Sequence, residues 1–541
     1  MFDRDSWQQT LPRFGYVLPA IAFFAAFAAR YHFLTTYRYP MMIHEQDAVG
    51  YMEVAKSFMQ LRLPPVVGRP PGYPLVIALF SVLPFGLEFA ARLASIFMDA
   101  LTVFPLFALA RIFLPRLESF LACILWAFFP FSLCFSPSPL SQSSYLCYLL
   151  AGIALLHRGF EKEGPGWFWG SGVFFALSYL ARPEGIVGFA CGFIICLTVC
   201  FEQHVSKTRK FVLIGCFLLG FLLLALPFLV NLRIACGNWC LSPLTEAHVK
   251  TADTISTLNS KGELLRTGSS GISAWKEKYK TFPMFAADVK ANISAFANVY
   301  VSTLPLWLRL FSGLGLLAIT ARRRWRNVAL LLILVAVTAP NYIVTISKTP
   351  SYLYPVYALT LIFLVAGFNA VSTLAVQAAK KFLPALHLTI IAAVCAGVMV
   401  LAVSSVVPGF YTVADENYQA PGLVHEVMVT EKIFKGAGEI IKYNSQANDI
   451  IMTRWGLVGY FAGRPVLTLP KGGVQEVIAY GRKNGARFML IDTDSVFSRR
   501  QELRELLGPL EGKMINPSYG IDVLSRNYFE DLGGYVVYRF R

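Results

Sequence analysis

The chain has 541 residues, 56% of them hydrophobic and 15% charged, whereas a soluble chain carries roughly 45–50% apolar and about 25% charged residues. No single soluble core absorbs that excess, so the medium is lipid. The formal net charge of +16 does not argue for nucleic acid, because much of it lies in short segments between apolar runs, such as Arg322, Arg323, Arg324 and Arg326, where positive residues set membrane topology.

The first apolar run, from Phe14, has Arg4 and Arg13 before it and no small-residue cleavage site after it, which predicts an uncleaved first span. Predominantly apolar runs of about the 20 residues that cross a bilayer core then predict spans near 14–34, 89–113, 118–135, 139–157, 167–181, 185–203, 210–232, 296–320, 326–347, 352–374 and 384–407. The positive residues at Arg111 and Arg116, Arg158 and Lys162, Lys207 to Lys210, Arg322 to Arg326, and Lys380 with Lys381 place the N-terminus in the cytoplasm and the C-terminus outside. The stretch 73–86 is too short and too rich in proline to cross, and reads as a juxtamembrane or re-entrant helix. Three regions are then expected outside: 35–88, 233–295 and everything after 408.

That tail changes character, with apolar stretches at 449–453, 465–469, 487–492 and 535–540 separated by helix-compatible segments. Strands alternating with helices predict a small α/β domain over 408–541, following a membrane domain over 1–407. Most of the ten cysteines sit inside apolar runs, where a thiol acts as a small hydrophobe. Cys236 and Cys240 lie just beyond a span, where a disulfide is one possibility.

In chain order, the first chemistry-bearing segment is HEQDAVGYMEVAKSF, 44–58, in which Asp47, Tyr51 and Ala55 fall on one helix face. A carboxylate here, Asp47 or Glu45, suits a general base toward an acceptor hydroxyl; a solvated face of an interfacial helix is the competing reading. Arg69-Pro70-Pro71-Gly72-Tyr73-Pro74 follows, a rigid bend. Arg92 and Asp99 share a face of the next span, and Arg309 interrupts a later one; charges inside a membrane mark a site unless they pair structurally. Arg182-Pro183-Glu184-Gly185, Arg233, and Lys348-Thr349-Pro350-Ser351-Tyr352 stand at the predicted outer ends of later spans. Their cations suit a lipid phosphate, although each alone also reads as a snorkelling anchor. The sequence shows no metal-ligand spacing, phosphate loop or nucleophile elbow.

Taken together, these segments resemble the GT-C superfamily of membrane glycosyltransferases, in the branch of protein O-mannosyltransferases and the lipid A aminoarabinose transferase. The resemblance rests on the acidic first outer loop, RPPGYPL at 69–75, AARL at 90–93, LARPEG at 180–185, PFLVNLR at 227–233 and SYLYPVYAL at 351–359, in that order. It implies a GT-C fold with about 11 to 13 transmembrane helices and a C-terminal extracytoplasmic α/β domain. It further implies an inverting transferase in the plasma (inner) membrane that uses a polyprenyl-phosphate sugar donor and a lipid, glycan or protein acceptor, without a required divalent metal or other cofactor. Asp47, with Glu45 as alternate, takes the place of the base. Tyr51, Arg69, Tyr73, Arg92, Arg182, Glu184, Arg233, Lys348 and Tyr352 are the expected substrate-binding residues. Two positions depart from the pattern: Ser141-Gln142 stands where relatives often have an acid, and Ser351 where they often have an arginine. A flippase for a lipid-linked sugar, or an inactive relative, would use the same cations and cavity.

Overall fold

The computed structural model describes residues 17–37, 46–62, 69–202, 206–236, 239, 241, 281–321, 325–340, 350–382, 428–470 and 472–541. They fall into two compact units: one within Met1–Met41, Val54–Leu241 and Thr281–Asp415, the other within Met42–Glu53, Ser242–Lys280 and Glu416–Arg541.

The first unit is helical. Its helices in chain order are α1 (Val17–Tyr37), the second half of α2 (Gln46–Met59), α3 (Gly72–Phe80), α4 (Leu87–Leu101), α5 (Val103–Ala110), α6 (Arg116–Ala127), α7 (Pro130–Phe135), α8 (Gln142–Lys162), α9 (Pro165–Ala181), α10 (Gly185–Glu202), α11 (Lys207–Cys236), α12 (Phe282–Thr303), α13 (Leu306–Ala321), α14 (Trp325–Ala336) and α15 (Tyr354–Phe382). Among the described residues, four stretches are long and apolar enough to cross a membrane: Val17–Thr36, Leu87–Ala110, Lys207–Ile234 and Ser351–Leu374. The pair α12 and α13 makes a fifth if counted as one span. The expected 11 to 13 spans are matched in part among the described residues, where several predicted spans are short or split. The span predicted at 118–135 divides into α6 and α7 ahead of Pro130, a proline at a helix start. The span predicted at 296–320 is not one helix either. Leu304 is extended (φ −119°, ψ 129°) because the ring of Pro305 disfavours the helical region for the residue before it, and the two halves meet at a 113° bend. The end of the predicted 233–295 loop is likewise helical from Phe282. The short α3 agrees with a non-crossing element at 73–86, while the span predicted at 384–407, Cys240 and the side chain of Cys236 lie outside the described residues.

Small residues set the closest helix crossings. A Cβ added at Gly172 on α9 would run into the carbonyl oxygen of Phe217 on α11, and one at Gly220 on α11 into that of Trp169 on α9. The same reciprocal arrangement joins α13 and α15, with Gly315 against the carbonyl of Phe363 and Gly367 against that of Phe311. Between apolar helices in lipid, association depends on such close packing, since burying leucine against leucine gains little over burying it in acyl chains.

In the second unit, residues from 428 form an α/β sandwich: a π-helical turn (Thr430–Lys435) leading into α16 (Gly436–Tyr443), then β1 (Ile450–Thr453), α17 (Gly456–Ala462), β2 (Val466–Thr468), α18 (Val474–Lys483), β3 (Ala486–Asp492), α19 (Thr493–Arg499), β4 (Ile521–Phe529) and β5 (Gly533–Phe540). The sheet order is β2-β1-β3-β5-β4, with β2, β1 and β3 parallel and the last two strands antiparallel. The four predicted strands are present. The fifth, β4, is an edge strand whose side chains are mostly exposed, so it lacks the apolar run by which the others are read.

Asp492, at the end of β3, is buried; it accepts the Ser495 amide (2.7 Å) and the Trp455 indole N–H (2.9 Å). Burial pushes its carboxyl above the usual range, and the Ser495 and Trp455 hydrogen bonds oppose that only in part. Since the folded state holds this proton more tightly than the unfolded one, its contribution to stability is present below the unfolded carboxylate range and lost as pH rises through the folded value. The exposed Glu511 and Asp522 shift downward beside Lys513 and Arg541 and act in the opposite sense. Thermal unfolding from pH 3 to 7 is therefore compared with that of Asp492→Asn: the difference between wild type and variant is expected to move against wild type as pH rises, and a difference independent of pH counts against the assignment.

Candidate functional site

The LARPEG segment is shaped by its proline and glycine. Helix α9 stops at Ala181, Arg182 turns extended (φ −148°, ψ 138°), and the Gly185 amide closes a turn onto the Arg182 carbonyl (2.9 Å) before α10 begins. A Cβ on Gly185 would lie 2.5 Å from the Ser178 carbonyl carbon. The RPPG bend docks on the same turn: a Cβ on Gly72 would come within 2.7 Å of the Ala181 amide nitrogen and the Leu180 carbonyl carbon. Because backbone atoms cannot rotate away, Gly72→Ala is expected to cost about 1–3 kcal/mol, the range for overpacking a filled site, and to lower the thermal midpoint of the detergent-solubilised protein; an unchanged midpoint would show that the bend is loosely seated.

This turn places Arg182 in a small polar pocket lined by Gln142, Tyr145, Arg182, Glu184, Ser351 and Tyr352, with Val337 and Pro355. One guanidinium nitrogen of Arg182 lies 2.9 Å from Glu184 Oε1, and the guanidinium sits 5.3 Å from the ring centre of Tyr352 and 6.0 Å from that of Tyr145. Three buried polar atoms, Gln142 Oε1, the Tyr145 hydroxyl and Glu184 Oε2, find no hydrogen-bond partner among the described residues. Arg182, Glu184 and Tyr352, separated by up to 170 positions in the chain, are thus brought together, and both positions that depart from the family pattern, Gln142 and Ser351, line the same pocket. Tyr145 carries no sequence signal beyond its place in an apolar run.

The other expected residues lie elsewhere or are already engaged. Tyr73 is fully buried, and its hydroxyl donates to the Ala91 carbonyl (2.9 Å) and pairs with Ser95 (2.6 Å), fastening α3 to α4. Arg92, 1% exposed, bonds Glu88 (3.0 Å) and the Pro137 carbonyl (3.0 Å). Arg69 is half-buried at the start of the bend, and Arg233 is exposed in the last turn of α11. Asp47, in the first turn of α2, is exposed, whereas Tyr51 one turn later is buried; both belong to the second unit, where Val49 lies beside Gly456 at the start of α17. Glu45 and Lys348 lie outside the described residues. The Nε of Arg309, four residues beyond the α12–α13 bend, is buried with no hydrogen-bond partner among the described residues.

Asp99 does not pair with Arg92. Its partner is Arg30 on α1, Nε to Oδ2 at 2.5 Å with both side chains fully buried. Ser132 (2.6 Å) and Tyr354 (2.9 Å) donate to the same carboxylate, and Arg30 also bonds Ser132 and the carbonyls of Ala26, Ala127 and Trp126. The cluster joins α1, α4, α6, α7 and the first residue of α15, two positions after Tyr352 of the pocket. Arg30 is a lone charge in an apolar run, which is itself a signal; its partner 69 residues on is not readable from spacing. Among the described residues, no group of three His, Cys, Asp or Glu side chains is placed to hold a metal ion.

The sequence profile of dolichyl-phosphate-mannose-protein mannosyltransferases matches residues 68–230. No curated protein matches the chain as a whole sequence. Among solved structures, ArnT from Cupriavidus metallidurans bound to undecaprenyl phosphate aligns with a TM-score of 0.52 at 13% identity, covering 97% of this chain and 98% of that one. The oligosaccharyltransferase of Archaeoglobus fulgidus in its apo form aligns with a TM-score of 0.52 at 11% identity, over 90% of this chain and 70% of that one. The same archaeal enzyme, AglB, in complex with an inhibitory peptide and a dolichol-phosphate aligns with a TM-score of 0.51.

Proposed function

From the premise that this chain has the fold of the GT-C membrane glycosyltransferases, we propose that it transfers a sugar from a polyprenyl-phosphate donor to an acceptor at the extracytoplasmic face of the membrane. The observation that carries the reading is the match to ArnT, a structure holding undecaprenyl phosphate, along nearly the full length of both chains. In the reaction, Asp47 or Glu45 takes the proton of an acceptor hydroxyl, the oxygen attacks the anomeric carbon with inversion, and the bond from that carbon to the phosphate oxygen breaks. The lipid phosphate departs as an anion. Arg233 and Lys348 supply positive charge as it leaves, while Arg182 is shared with Glu184. Tyr73 and Arg92 act as struts, Tyr73 holding α3 to α4 and Arg92 holding α4 to the Pro137 carbonyl. The charge growing on the leaving group is met by side chains, so this reading includes no step through a metal.

Mass spectrometry of envelope lipids and glycans from cells with and without the gene tests the reading: one sugar modification is expected to vanish on deletion, and an unchanged profile would overturn it. A second reading, an inactive relative that binds donor without turnover, draws support from Gln142 and Ser351 in the pocket. It predicts donor binding by the purified chain and no product with any acceptor fraction.

A further inference from the structure

We propose that the Arg182 pocket seats an uncharged, hydroxyl-bearing sugar ring and is not a phosphate site; that the ligand is a sugar rests on the transferase reading above. The argument begins with charge. Among the described lining residues there is one cation, Arg182, and one anion, Glu184, in direct contact at 2.9 Å, while Gln142, Tyr145, Ser351 and Tyr352 are neutral. The net charge of these described residues is zero, and the guanidinium is already engaged on one side by the carboxylate and flanked by two tyrosine rings. A phosphate entering here would face the second carboxylate oxygen of Glu184, whereas an ammonium would face Arg182; in a partly buried site neither repulsion is screened as it would be in water.

The unmet hydrogen-bonding capacity points the same way. Gln142 Oε1 and Glu184 Oε2 are buried acceptors, and the Tyr145 hydroxyl, in a side chain 4% exposed, both donates and accepts. A buried polar atom left unpaired costs free energy, so these three atoms call for a partner that donates at least twice. The unprotonated oxygens of a phosphodiester only accept, so they leave Gln142 Oε1 and Glu184 Oε2 unmet. Neighbouring hydroxyls of a sugar ring donate to both acceptors and exchange a bond with Tyr145, and because a hydroxyl also accepts, the fit holds whichever way the Gln142 amide is turned. The tyrosine rings of the wall suit the apolar face of a pyranose.

The test uses the full chain in nanodiscs and saturation-transfer NMR with four probes at pH 7: methyl mannopyranoside, methyl glucosaminide carrying a protonated amine, methyl glucuronide, and inorganic phosphate as competitor. Wild type is expected to bind the neutral glycoside about tenfold more tightly than either charged one, the order of effect of one unscreened like charge, and phosphate is expected not to displace it. Gln142→Glu, which makes the pocket net negative, should move the preference to the amine; Glu184→Gln, net positive, should move it to the glucuronide and let phosphate compete. A misfolded variant loses all binding and does not reverse an order, so the two reversals report on the pocket itself. Phosphate or glucuronide outcompeting the neutral glycoside on wild type, or one order of preference in all three proteins, would overturn the proposal. Sugar transfer without the neutral preference sinks this inference and spares the transferase reading. The neutral preference combined with an unchanged envelope profile does the reverse.

Discussion

Asp47→Asn is expected to lower sugar transfer by about 10²–10⁴-fold, the usual contribution of a positioned general base, with donor binding unchanged. Asparagine keeps the size and a hydrogen-bonding oxygen but cannot take a proton. Asp47 occupies the first turn of α2, where negative charge complements the helix dipole, so the substitution also weakens the helix start by a few tenths of a kcal/mol, far too little to explain a loss of that size. The measurement is product formation under single-turnover conditions, paired with donor binding to the same preparation. Glu45→Gln is the companion variant, because the sequence alone leaves the two acids as alternates. Loss in only one variant assigns the base to that residue. Full turnover in both would remove the first outer loop from the chemistry altogether.

The second large effect is structural. Arg30→Met is expected to destabilise the helical unit by about 3–5 kcal/mol, because it leaves Asp99 charged, fully buried and without its cation. The hydrogen bonds from Ser132 and Tyr354 remain but do not neutralise it. The double variant Arg30→Met with Asp99→Leu removes both charges and is expected to recover most of the loss, since buried pairs are often replaceable by apolar residues of similar volume. Unfolding of the detergent-solubilised protein, followed by the fluorescence of buried Trp126, measures both. Equal stability of wild type and Arg30→Met would show that water reaches the cluster. Recovery of stability without recovery of sugar transfer would show that the cluster also fixes the start of α15, and with it Tyr352.

Much of the fold is legible in the residues, and the places where it is not have physical causes. The strands at 449–453, 487–492 and 535–540 are read from apolar runs because those strands are largely buried, and the one at 465–469 from a run whose Val466 and Leu467 are half-buried; β4 is missed because an edge strand with exposed side chains carries no such run. The bend at Pro305 has a clear local signal, a proline inside a span, but the apolar composition on both sides outweighs it in a window average. At the site, LARPEG and the tyrosine of SYLYP are found because proline, glycine and charge are rare in membrane segments. Their convergence with Gln142 and Tyr145 is a tertiary fact that no spacing encodes. The reading of Arg92 with Asp99 fails for a related reason. Seven residues on one helix puts two side chains on one face but two turns, about 10 Å, apart, where only water or a neighbouring helix bridges them; Glu88 stands four residues from Arg92, within direct reach, and Asp99 meets a charge from α1 instead.

The reciprocal glycine contact between α13 and α15 has a mechanical consequence. Where two helices touch through main-chain atoms there are no side chains to swing aside, so the pair cannot slip past each other in small steps and behaves as one stiff lever. Tyr352 sits at the head of that lever, immediately ahead of α15. Any widening of the pocket to admit or discharge a ligand therefore either carries α13 along with α15 or is made on the opposite wall, at the turn that holds Arg182 and Glu184.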